Sequence, residues 1–423
     1  MSKNNIIAGL DVGSASIRTI IAQNIPGEEI PRIIGVGVVP SSGARKGVVV
    51  DVEEMSGAIK KSILAAEMMA GQKIEKVAAS IGGTEIDFQE SKGVVAIGKA
   101  DGEVTEGDIA RVVDAAQTIS IPPNREILHI IPRSYRLDDQ NNIKDPLGMN
   151  GVRLEVDALV IEGFSGHIKN LNKSIEQNEI EVNNLILSPL ASANAILDKK
   201  QKELGVALVD IGGATTSVAV FEEGDLIHLA ILPVGANYIT NDIAIGLRTS
   251  IETAEKIKLE YGCAFSNTVD KNEDIDLSQI DSQEEGEVSR YHVAEIIEAR
   301  LEEIFDLVGR ELKNIGKAGL LPAGIVLVGG GAKLPQIVEF AKDSLGLPAQ
   351  IGYPVRLGGI LDKVDDPSFA VAMGLILWAQ EESIRDDSRS GKRMMNMKAL
   401  GNFSSDFGDV AGKAKKWLKK FLP

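Results

Sequence analysis

Apolar runs separated by short polar interruptions dominate the first part of the chain and predict strands, then a helix, then another strand. The strand-like runs are IIAGLDV, IRTIIA, RIIGVGVV, GVVV and, later, KVAASIGG, while residues 52–70 repeat apolar positions at helical spacing. Residues 205–260 repeat this order. GVALVDIGG and TSVAVFEEG predict a strand pair, LIHLAILPVG predicts a third strand, and NYITNDIAIGL predicts the start of a helix.

The two repeats match at a constant offset of 199 residues. Asp11, Gly13 and Ala15 fall on Asp210, Gly212 and Ala214, and Ser16 falls on Thr215. Two copies of one supersecondary unit predict a duplicated α/β fold with a cleft between the halves. A chance match of short motifs is the alternative interpretation.

Between the repeats, residues 84–165 are predicted to form an inserted subdomain. TEGDIARVVDAAQTI predicts an amphipathic helix, with Thr105 and Asp108 placed as a capping pair at its start. The runs REILHIIPRSYRL and GVRLEVDALVIEG are strand-like.

From Glu381 to Asp409 the sequence is polar, which indicates a linker.

Composition narrows the function classes. The chain has 423 residues, 61 Asp and Glu against 45 Lys and Arg, and a formal charge of -16, which argues against nucleic acid as a main partner. Its single cysteine, Cys263, allows no internal disulfide, and its 4 histidines are scattered, so a reducing cytoplasm is expected and a Cys/His metal site is not. The N-terminal residues indicate a buried strand rather than a signal peptide. The chain has no apolar run long enough to span a membrane.

Two glycine-rich turns, DVGSAS and DIGGATT, carry the candidate chemistry. Such turns direct backbone N–H groups at an anion, and glycine lets a phosphate approach the backbone. The aspartate before each turn, Asp11 or Asp210, can hold magnesium or its water shell. A third element, AGIVLVGGGAKLPQI at residues 323–337, predicts a buried strand, a Gly turn and a helix against which a nucleoside could lie. Ordinary tight turns in a β-rich core are the alternative.

The ordered segments DVGS, LSPLASANAIL, VDIGGATTSVAVF, LVGGGAKLPQI and DPSFAVAMGLILW resemble the five motifs of the actin-like ATPase superfamily. Within that superfamily, KDPLGMNGVRLEVDA, LPVGANYITNDIAIGL and TAEKIKLEYGCA resemble the FtsA family of bacterial cell-division proteins. The similarity covers residues 5–380 and returns at the tail. It implies a duplicated actin-like fold with two lobes around a nucleotide cleft, and ATP with Mg²⁺ as its cofactors.

The resemblance also implies roles for individual residues. The first phosphate turn would comprise Asp11, Gly13 and Ser14, and the second Gly212, Gly213, Ala214 and Thr215. Asp11 and Asp210 would hold Mg²⁺ through water, Gly329, Gly330 and Gly331 would pack on the nucleoside, and Glu255 and Lys258 would contact ribose or base. From charge spacing alone, Glu255 and Lys258 are better interpreted as an i,i+3 ion pair on a solvated helix face.

Two departures from the related families bear on activity. Where FtsA relatives often have a lysine just beyond the first turn, this chain has Ser16, and Arg18 is a candidate for the missing charge. Where related cell-shape and chaperone ATPases have a water-orienting glutamate, it has Ser188. Loss of such a group removes roughly 10²–10⁴-fold of rate assistance, so we expect ATP binding with slow turnover at most.

The expected domain organisation follows from the repeats and the resemblance. Its parts are a first lobe core (residues 1–83 and 166–204), the insert (84–165), a second lobe core (205–240 and 320–380), an outer FtsZ-binding subdomain (241–319), a flexible linker (381–409) and a terminal amphipathic helix (410–423).

The last dozen residues, GKAKKWLKKFLP, hold five lysines and no acid. On a helix at 100° per residue, the apolar side chains share one arc and the lysines fill the other, and about 20 Å of helix suits a bilayer interface. The membrane-contacting set is Trp417, Leu418, Phe421, Leu422, Lys413, Lys416 and Lys420. Docking on the protein's own surface, nucleic acid and a calmodulin-like groove are the alternatives.

The resemblance implies the partners. FtsA-like proteins tether the tubulin-like protein FtsZ to the cytoplasmic face of the cell membrane at the division site, polymerise as actin-like filaments, and recruit later division proteins through the inserted subdomain. HVAEIIEARLEEIF resembles the FtsZ-binding helix, which makes Arg300 the candidate partner of the acidic FtsZ tail. An ion pair of Arg300 with Glu303 or Glu298 is the alternative. The competing functions are a small-molecule kinase and a pilus-assembly or cell-shape relative on the same fold.

Attachment by the tail can be tested by liposome co-sedimentation with ATP. Intact protein should pellet with anionic vesicles, and a truncation after Asp409 should stay in the supernatant, because the body is acidic and is repelled by the lipid surface. Intact and truncated protein are each measured with and without FtsZ tail peptide. Equal pelleting of the two forms would contradict the tether.

Overall fold

A computed structural model describes residues 6–25, 28, 30–118, 121–354, 357–360 and 362–381. Its first lobe begins with β1 (Ile6–Val12), β2 (Ser16–Gln23), β3 (Arg32–Pro40), β4 (Ala44–Arg45), β5 (Val48–Val49), α1 (Val52–Ala70) and β6 (Lys76–Ile81). Helix α1 starts where predicted because the Asp51 side chain accepts hydrogen bonds from the amides of Glu53 and Glu54, each at 3.0 Å.

The inserted subdomain follows as β7 (Ile86–Ala96), α2 (Glu106–Ala115), β8 (Arg125–Leu137), β9 (Gln140–Ile143) and β10 (Arg153–Phe164). The strands form a separate sheet in the order β7-β10-β8-β9, with α2 packed on β7 and β10. The predicted capping pair is confirmed. The Asp108 amide donates to Thr105 Oγ1 at 3.2 Å, and the Thr105 amide donates to Asp108 Oδ2 at 2.8 Å.

The chain then returns to the first lobe through α3 (Ser165–Glu176) and β11 (Glu181–Leu187), and continues as α4 (Ser188–Ile196) and α5 (Lys199–Leu204). Strand β11 forms one edge of the first-lobe sheet, beside β6. Helix α4 carries Pro189 in its first turn, where a missing N–H costs no intrahelical bond.

Most of the remaining elements belong to the second lobe. They are β12 (Val206–Ile211), β13 (Thr216–Glu222), β14 (Asp225–Leu232), α6 (Ala236–Leu247), α7 (Ile251–Tyr261), β15 (Asp274–Asp276), β16 (Glu287–Ser289), α8 (Arg290–Asn314), β17 (Ile325–Val328), α9 (Ile337–Leu345) and β18 (Ala349–Ile351). Five of them form a sheet in the order β14-β13-β12-β17-β18. The acidic run at residues 272–287 spans β15 and the start of β16, which pair as a hairpin.

The last strand, β19 (Gly358–Gly359), returns to the first lobe and pairs parallel with β3. It completes the other edge of the first-lobe sheet, whose order is β11-β6-β1-β2-β3-β19.

The duplication predicted from the sequence is confirmed by the sheets. In each lobe the first strand pairs antiparallel with the second and parallel with a later strand, β6 or β17. The offset of 199 residues holds in the strand register, because Asp11 lies opposite Arg18 and Asp210 lies opposite Ser217. Asp11 and Asp210 therefore occupy equivalent positions near the ends of β1 and β12.

In the described part of the chain, two connections join the lobes, and they contact each other. The first runs through α4 and α5, and the second returns by β19 to helical residues 370–381. An ideal Cβ on Gly374 would lie 1.9 Å from the carbonyl oxygen of Ala191. The two connecting helices are thus in backbone contact, which only glycine permits at position 374.

Residues 382–423, which hold nearly all of the predicted linker and the whole predicted tail helix, lie outside the described residues. Among the helices that the structure describes, none is long and apolar enough to cross a membrane.

Candidate nucleotide site

Strands β1 and β12 end at a cavity of about 390 Å³ between the two lobes, a size within the ~300–1,000 Å³ of small-molecule sites. All the nucleotide-binding residues predicted from the sequence line it except Ala214. The lining members are Asp11, Gly13, Ser14, Arg18, Asp210, Gly212, Gly213, Thr215, Glu255, Lys258, Gly329, Gly330 and Gly331.

The two predicted phosphate turns face each other at close range. An ideal Cβ on Gly213 would lie 2.8 Å from the Cβ of Ala15 and 3.2 Å from its amide nitrogen. A contact of that length forces a shift, so position 213 requires glycine if the turns are to approach in this way. The turns predicted to act on one ligand are therefore brought together across the cleft.

Helix α6 fixes the second turn. The amide of Ala236 donates to the carbonyl oxygen of Gly212, and the amide of Asn237 to that of Gly213, each at 2.8 Å. The Gly212 amide closes the turn on the carbonyl of Thr215 at 3.0 Å. Because α6 takes up two carbonyl oxygens, the negative ends of these peptide groups face the helix, which favours an anion on the opposite side.

Asp11 is buried and Asp210 is partly buried, and the two lie close enough for their charges to interact. Burial raises the pKa of Asp11. Burial, and after it the charge of Asp11, raises the pKa of Asp210 to about 6. Ser80 Oγ donates to Asp11 Oδ1 at 2.9 Å, and Ser192 Oγ donates to Asp210 Oδ2 at 3.1 Å. A cation between these carboxylates would relieve their repulsion.

Arg18 lies beside this pair rather than in a solvent-exposed position. Its Nη1 is 3.8 Å from Asp11 Oδ2, and its guanidinium carbon lies 5.3 Å from the centroid of the Phe369 ring. Its Nε is buried without a hydrogen-bond partner. The side chain thus brings a positive charge to the cleft two residues beyond Ser16.

The third glycine element also lies where predicted, with one correction. Gly329 has φ +84°, and its amide donates to the carbonyl of Pro367 at 3.0 Å. The segment does not enter a helix directly. Residues Gly330–Lys333 form a 3₁₀ turn, and α9 begins only at Ile337, because Gln336 adopts a left-handed conformation with φ +65°.

Glu255 and Lys258 form the ion pair expected from their spacing, with Nζ 2.6 Å from Glu255 Oε2. The solvated-face interpretation is wrong for the lysine, because Lys258 is buried. Its Nζ also donates to Thr240 Oγ1 at 2.7 Å, and Thr240 in turn donates to Glu255. Tertiary packing of α7 on α6 encloses the lysine beside the cavity.

Ser188 lines the cavity, and its Oγ donates to the carbonyl of Ile81 at 3.1 Å. Among the lining residues that the structure describes, the carboxylates are Asp11, Asp210 and Glu255. The first two are each held by a serine and the third by Lys258 and Thr240. The position expected to orient attacking water therefore carries a hydroxyl that is already used in a backbone hydrogen bond.

Several residues of this site were not predicted from the sequence. Ser80, Ser192, Gly47, Gly82, Gly83 and Lys333 touch the cavity wall or its carboxylates. Lys333 pairs with Asp366 at 2.5 Å. Ser192 and Lys333 lie inside segments that resemble family motifs, so their positions in those motifs could have indicated that they belong to the site. Gly47 has φ +77° and packs on Gly83, a long-range contact that no local pattern indicates.

The donor set fits a Mg²⁺–nucleotide complex better than a protein-enclosed metal. Within the described part of the chain, no group of three or more His, Cys, Asp or Glu side chains is placed to hold a metal ion. Mg²⁺ keeps several waters and binds through one or two carboxylates together with substrate phosphates. Asp11 and Asp210 beside two phosphate turns supply that arrangement.

Arg300 lies away from the cavity on α8. Its guanidinium makes two bonds to Asp242, Nε to Oδ2 at 2.6 Å and Nη2 to Oδ1 at 3.0 Å, and it also pairs with Glu303. Its centre lies 5.6 Å from the ring centroid of Tyr238. The other predicted partner, Glu298, instead accepts from the amide of Ser266 at 2.9 Å.

Comparisons with known proteins agree with this architecture. The family model for Cell division protein FtsA matches residues 207–374, and the model for the SHS2 domain inserted in FTSA matches residues 83–162. Cell division protein FtsA of Pseudomonas aeruginosa is 36% identical over 422 residues and covers 99% of each chain. The Bacillus subtilis protein of that name is 37% identical over 379 residues, 90% of this chain and 84% of the relative.

Solved structures show the same fold at low sequence identity. The PilM-PilN type IV pilus biogenesis complex gives a TM-score of 0.64 at 17% identity, covering 88% of this chain and 98% of the other. MreB 5 of Spiroplasma citri bound to AMPPNP gives 0.52 at 17% identity, covering 92% and 100%. With its duplicated lobes, inserted subdomain and near full-length relatives, this chain belongs to the FtsA family of cell-division proteins.

Proposed function

We propose that this cell-division protein binds ATP with Mg²⁺ in the cleft and uses the bound nucleotide to hold its two lobes in one arrangement. The observation that supports this most directly is the meeting of the two turns at Gly213 and Ala15 beside the carboxylates of Asp11, which is buried, and Asp210, which is partly buried. The actin-like neighbour MreB 5 has been solved with AMPPNP and with ADP.

In this proposal each group of residues contacts a different part of the nucleotide. Asp11, Gly13 and Ser14 form one phosphate turn, and Gly212, Gly213, Ala214 and Thr215 form the other. Asp11 and Asp210 hold Mg²⁺ through water, and the bound cation neutralises phosphate charge. Gly329, Gly330 and Gly331 pack on the nucleoside, Lys258 and Glu255 contact ribose or base, and Arg18 adds positive charge near the phosphates.

Hydrolysis is expected to be slow. Ser188 stands where related ATPases have a carboxylate. Its hydroxyl donates a hydrogen bond to the carbonyl oxygen of Ile81. With a serine in place of that carboxylate, we expect the general-base contribution of roughly 10²–10⁴-fold to be lost. The bound nucleotide therefore acts mainly by holding the two lobes in one arrangement, and its slow hydrolysis releases that arrangement slowly.

Membership of the FtsA family supports the wider role. We propose that the protein polymerises as actin-like filaments, tethers the FtsZ ring to the cytoplasmic face of the cell membrane, and recruits later division proteins through residues 84–165. The tail at residues 410–423 would lie in the anionic membrane surface. Filament assembly places many weak anchors side by side, which raises overall attachment without any new contact.

The outer part of the second lobe, residues 241–319, is proposed to bind the acidic FtsZ tail at Arg300. The Arg300 side chain is 22% exposed and already engaged by Asp242. An acidic peptide would therefore have to replace Asp242, at least in part, to bind Arg300 bidentately. This exchange predicts opposite effects for substitutions at the two positions.

The nucleotide proposal can be tested by titration calorimetry with Mg²⁺ and ATP. In Gly213→Ala the new Cβ meets Ala15 and separates the turns, so we expect ATP affinity to fall at least about 10-fold, roughly 1.4 kcal/mol of binding free energy. Gly57→Ala is the matched control, because an ideal Cβ there has nothing within 4 Å. An unchanged affinity in Gly213→Ala would contradict a ligand held by both turns.

Binding of an FtsZ tail peptide tests the role of Arg300. Arg300→Glu should weaken binding at least about 10-fold, because loss of a charge-assisted bidentate contact is large. Asp242→Asn should preserve or strengthen binding, because it removes the competing carboxylate. Fluorescence anisotropy with a labelled peptide gives both affinities.

Arg310→Glu serves as the control, because Arg310 is an exposed arginine on the same helix. Thermal melts separate misfolding from loss of contact. If Asp242→Asn weakens binding as much as Arg300→Glu does, the Asp242–Arg300 pair has a structural role and Arg300 is not the peptide's partner.

A further inference from the structure

Ser192 holds one of the two cleft carboxylates from outside that carboxylate's own sheet. It is fully buried on α4, and its Oγ donates to Asp210 Oδ2 at 3.1 Å. Asp210 stands near the end of β12 in the second lobe, whereas α4 follows β11 of the first lobe. This hydrogen bond therefore links the connection between the lobes to the carboxylate of the second lobe.

The corresponding bond in the first lobe is built differently. Ser80 lies on β6, which is the direct neighbour of β1 in the first-lobe sheet. Its Oγ donates to Asp11 Oδ1 at 2.9 Å and accepts from the amide of Val12 at 2.9 Å. Asp11 is thus held within its own sheet, so its orientation does not depend on how the lobes are connected.

The remaining oxygen of Asp210 is confined by backbone. An ideal Cβ on Gly329 would lie 2.4 Å from Asp210 Oδ1, so the glycine backbone packs closely against that oxygen. With Oδ2 bonded to Ser192 and Oδ1 against Gly329, the carboxylate plane is fixed from two sides. One of these two restraints comes from α4.

The position of Ser192 on α4 is also the place where the connecting helices touch. The adjacent residue, Ala191, places its carbonyl oxygen where a Cβ on Gly374 would be, at 1.9 Å. Any movement of α4 against helical residues 370–381 therefore shifts Ser192 as well. The hydrogen bond to Asp210 passes such a movement to the carboxylate at the end of β12.

We infer that Ser192 is a positioning residue that orients Asp210 for a hydrated Mg²⁺ ion and ties cation binding to the contact between the lobe-connecting helices. The inference rests on the proposed binding of Mg²⁺ and ATP and assigns its control to a residue outside the turns. Partners that orient a metal-binding side chain commonly contribute 10- to 100-fold in metal affinity. Removing the Ser192 hydroxyl should therefore lower the gain in ATP affinity that Mg²⁺ provides.

The test is calorimetric ATP affinity measured twice, in excess Mg²⁺ and in EDTA, for the full chain and its variants. In Ser192→Ala, the gain in affinity on adding Mg²⁺ should fall at least about 10-fold, while affinity in EDTA stays within about twofold. Ser192→Cys keeps a weaker donor of similar size and should give an intermediate gain. A general packing defect would instead lower both affinities together.

Ser174→Ala is the matched control, because Ser174 is also a fully buried helical serine, but its Oγ donates to the carbonyl of Asn170. It should keep the wild-type gain. A wild-type gain in Ser192→Ala, or equal losses in Mg²⁺ and EDTA, would overturn the inference. If the unmodified protein binds no ATP in Mg²⁺, the proposed function itself fails, and this inference fails with it.

Discussion

The approach of the two glycine turns across the cleft constrains much of the molecule. Gly213 packs on Ala15 so closely that a methyl group does not fit without a shift. Helix α6 supports this approach, because the amides of Ala236 and Asn237 donate to the carbonyl oxygens of the second turn. It also brings Asp11 and Asp210 close enough for their charges to interact, which favours a cation between them.

Restraints around the carboxylates explain why a nucleotide would act on the whole molecule. Ser80 holds Asp11 within the first-lobe sheet, whereas Ser192 holds Asp210 from a helix between the lobes. That helix touches the second connection at Gly374. A ligand at the carboxylates therefore acts on the contact that relates the lobes, and slow hydrolysis would preserve its effect. A division protein that assembles into filaments, as proposed above, would need such a long-lived state.

The duplicated lobes, the turns and the inserted subdomain could be predicted from the sequence. Each of these features depends on strand periodicity or on glycine residues, and both patterns are visible over a few residues. The capping pair Thr105 and Asp108 is predictable for the same reason. The burial of Lys258 was missed because an i,i+3 charge pair has the same spacing on a solvated face and against a packed helix. The bond of Ser192 to Asp210 depends on how α4 crosses the lobes, which no short pattern specifies.

In the proposed complex, one nucleotide is held by both lobes at once. Hydrogen–deuterium exchange of the amides in residues 11–16 and 210–215, measured with and without Mg²⁺ and ATP, tests it most directly. We expect the amides of both turns to gain protection together and at the same ATP concentration. Protection of one turn with no change in the other would contradict it.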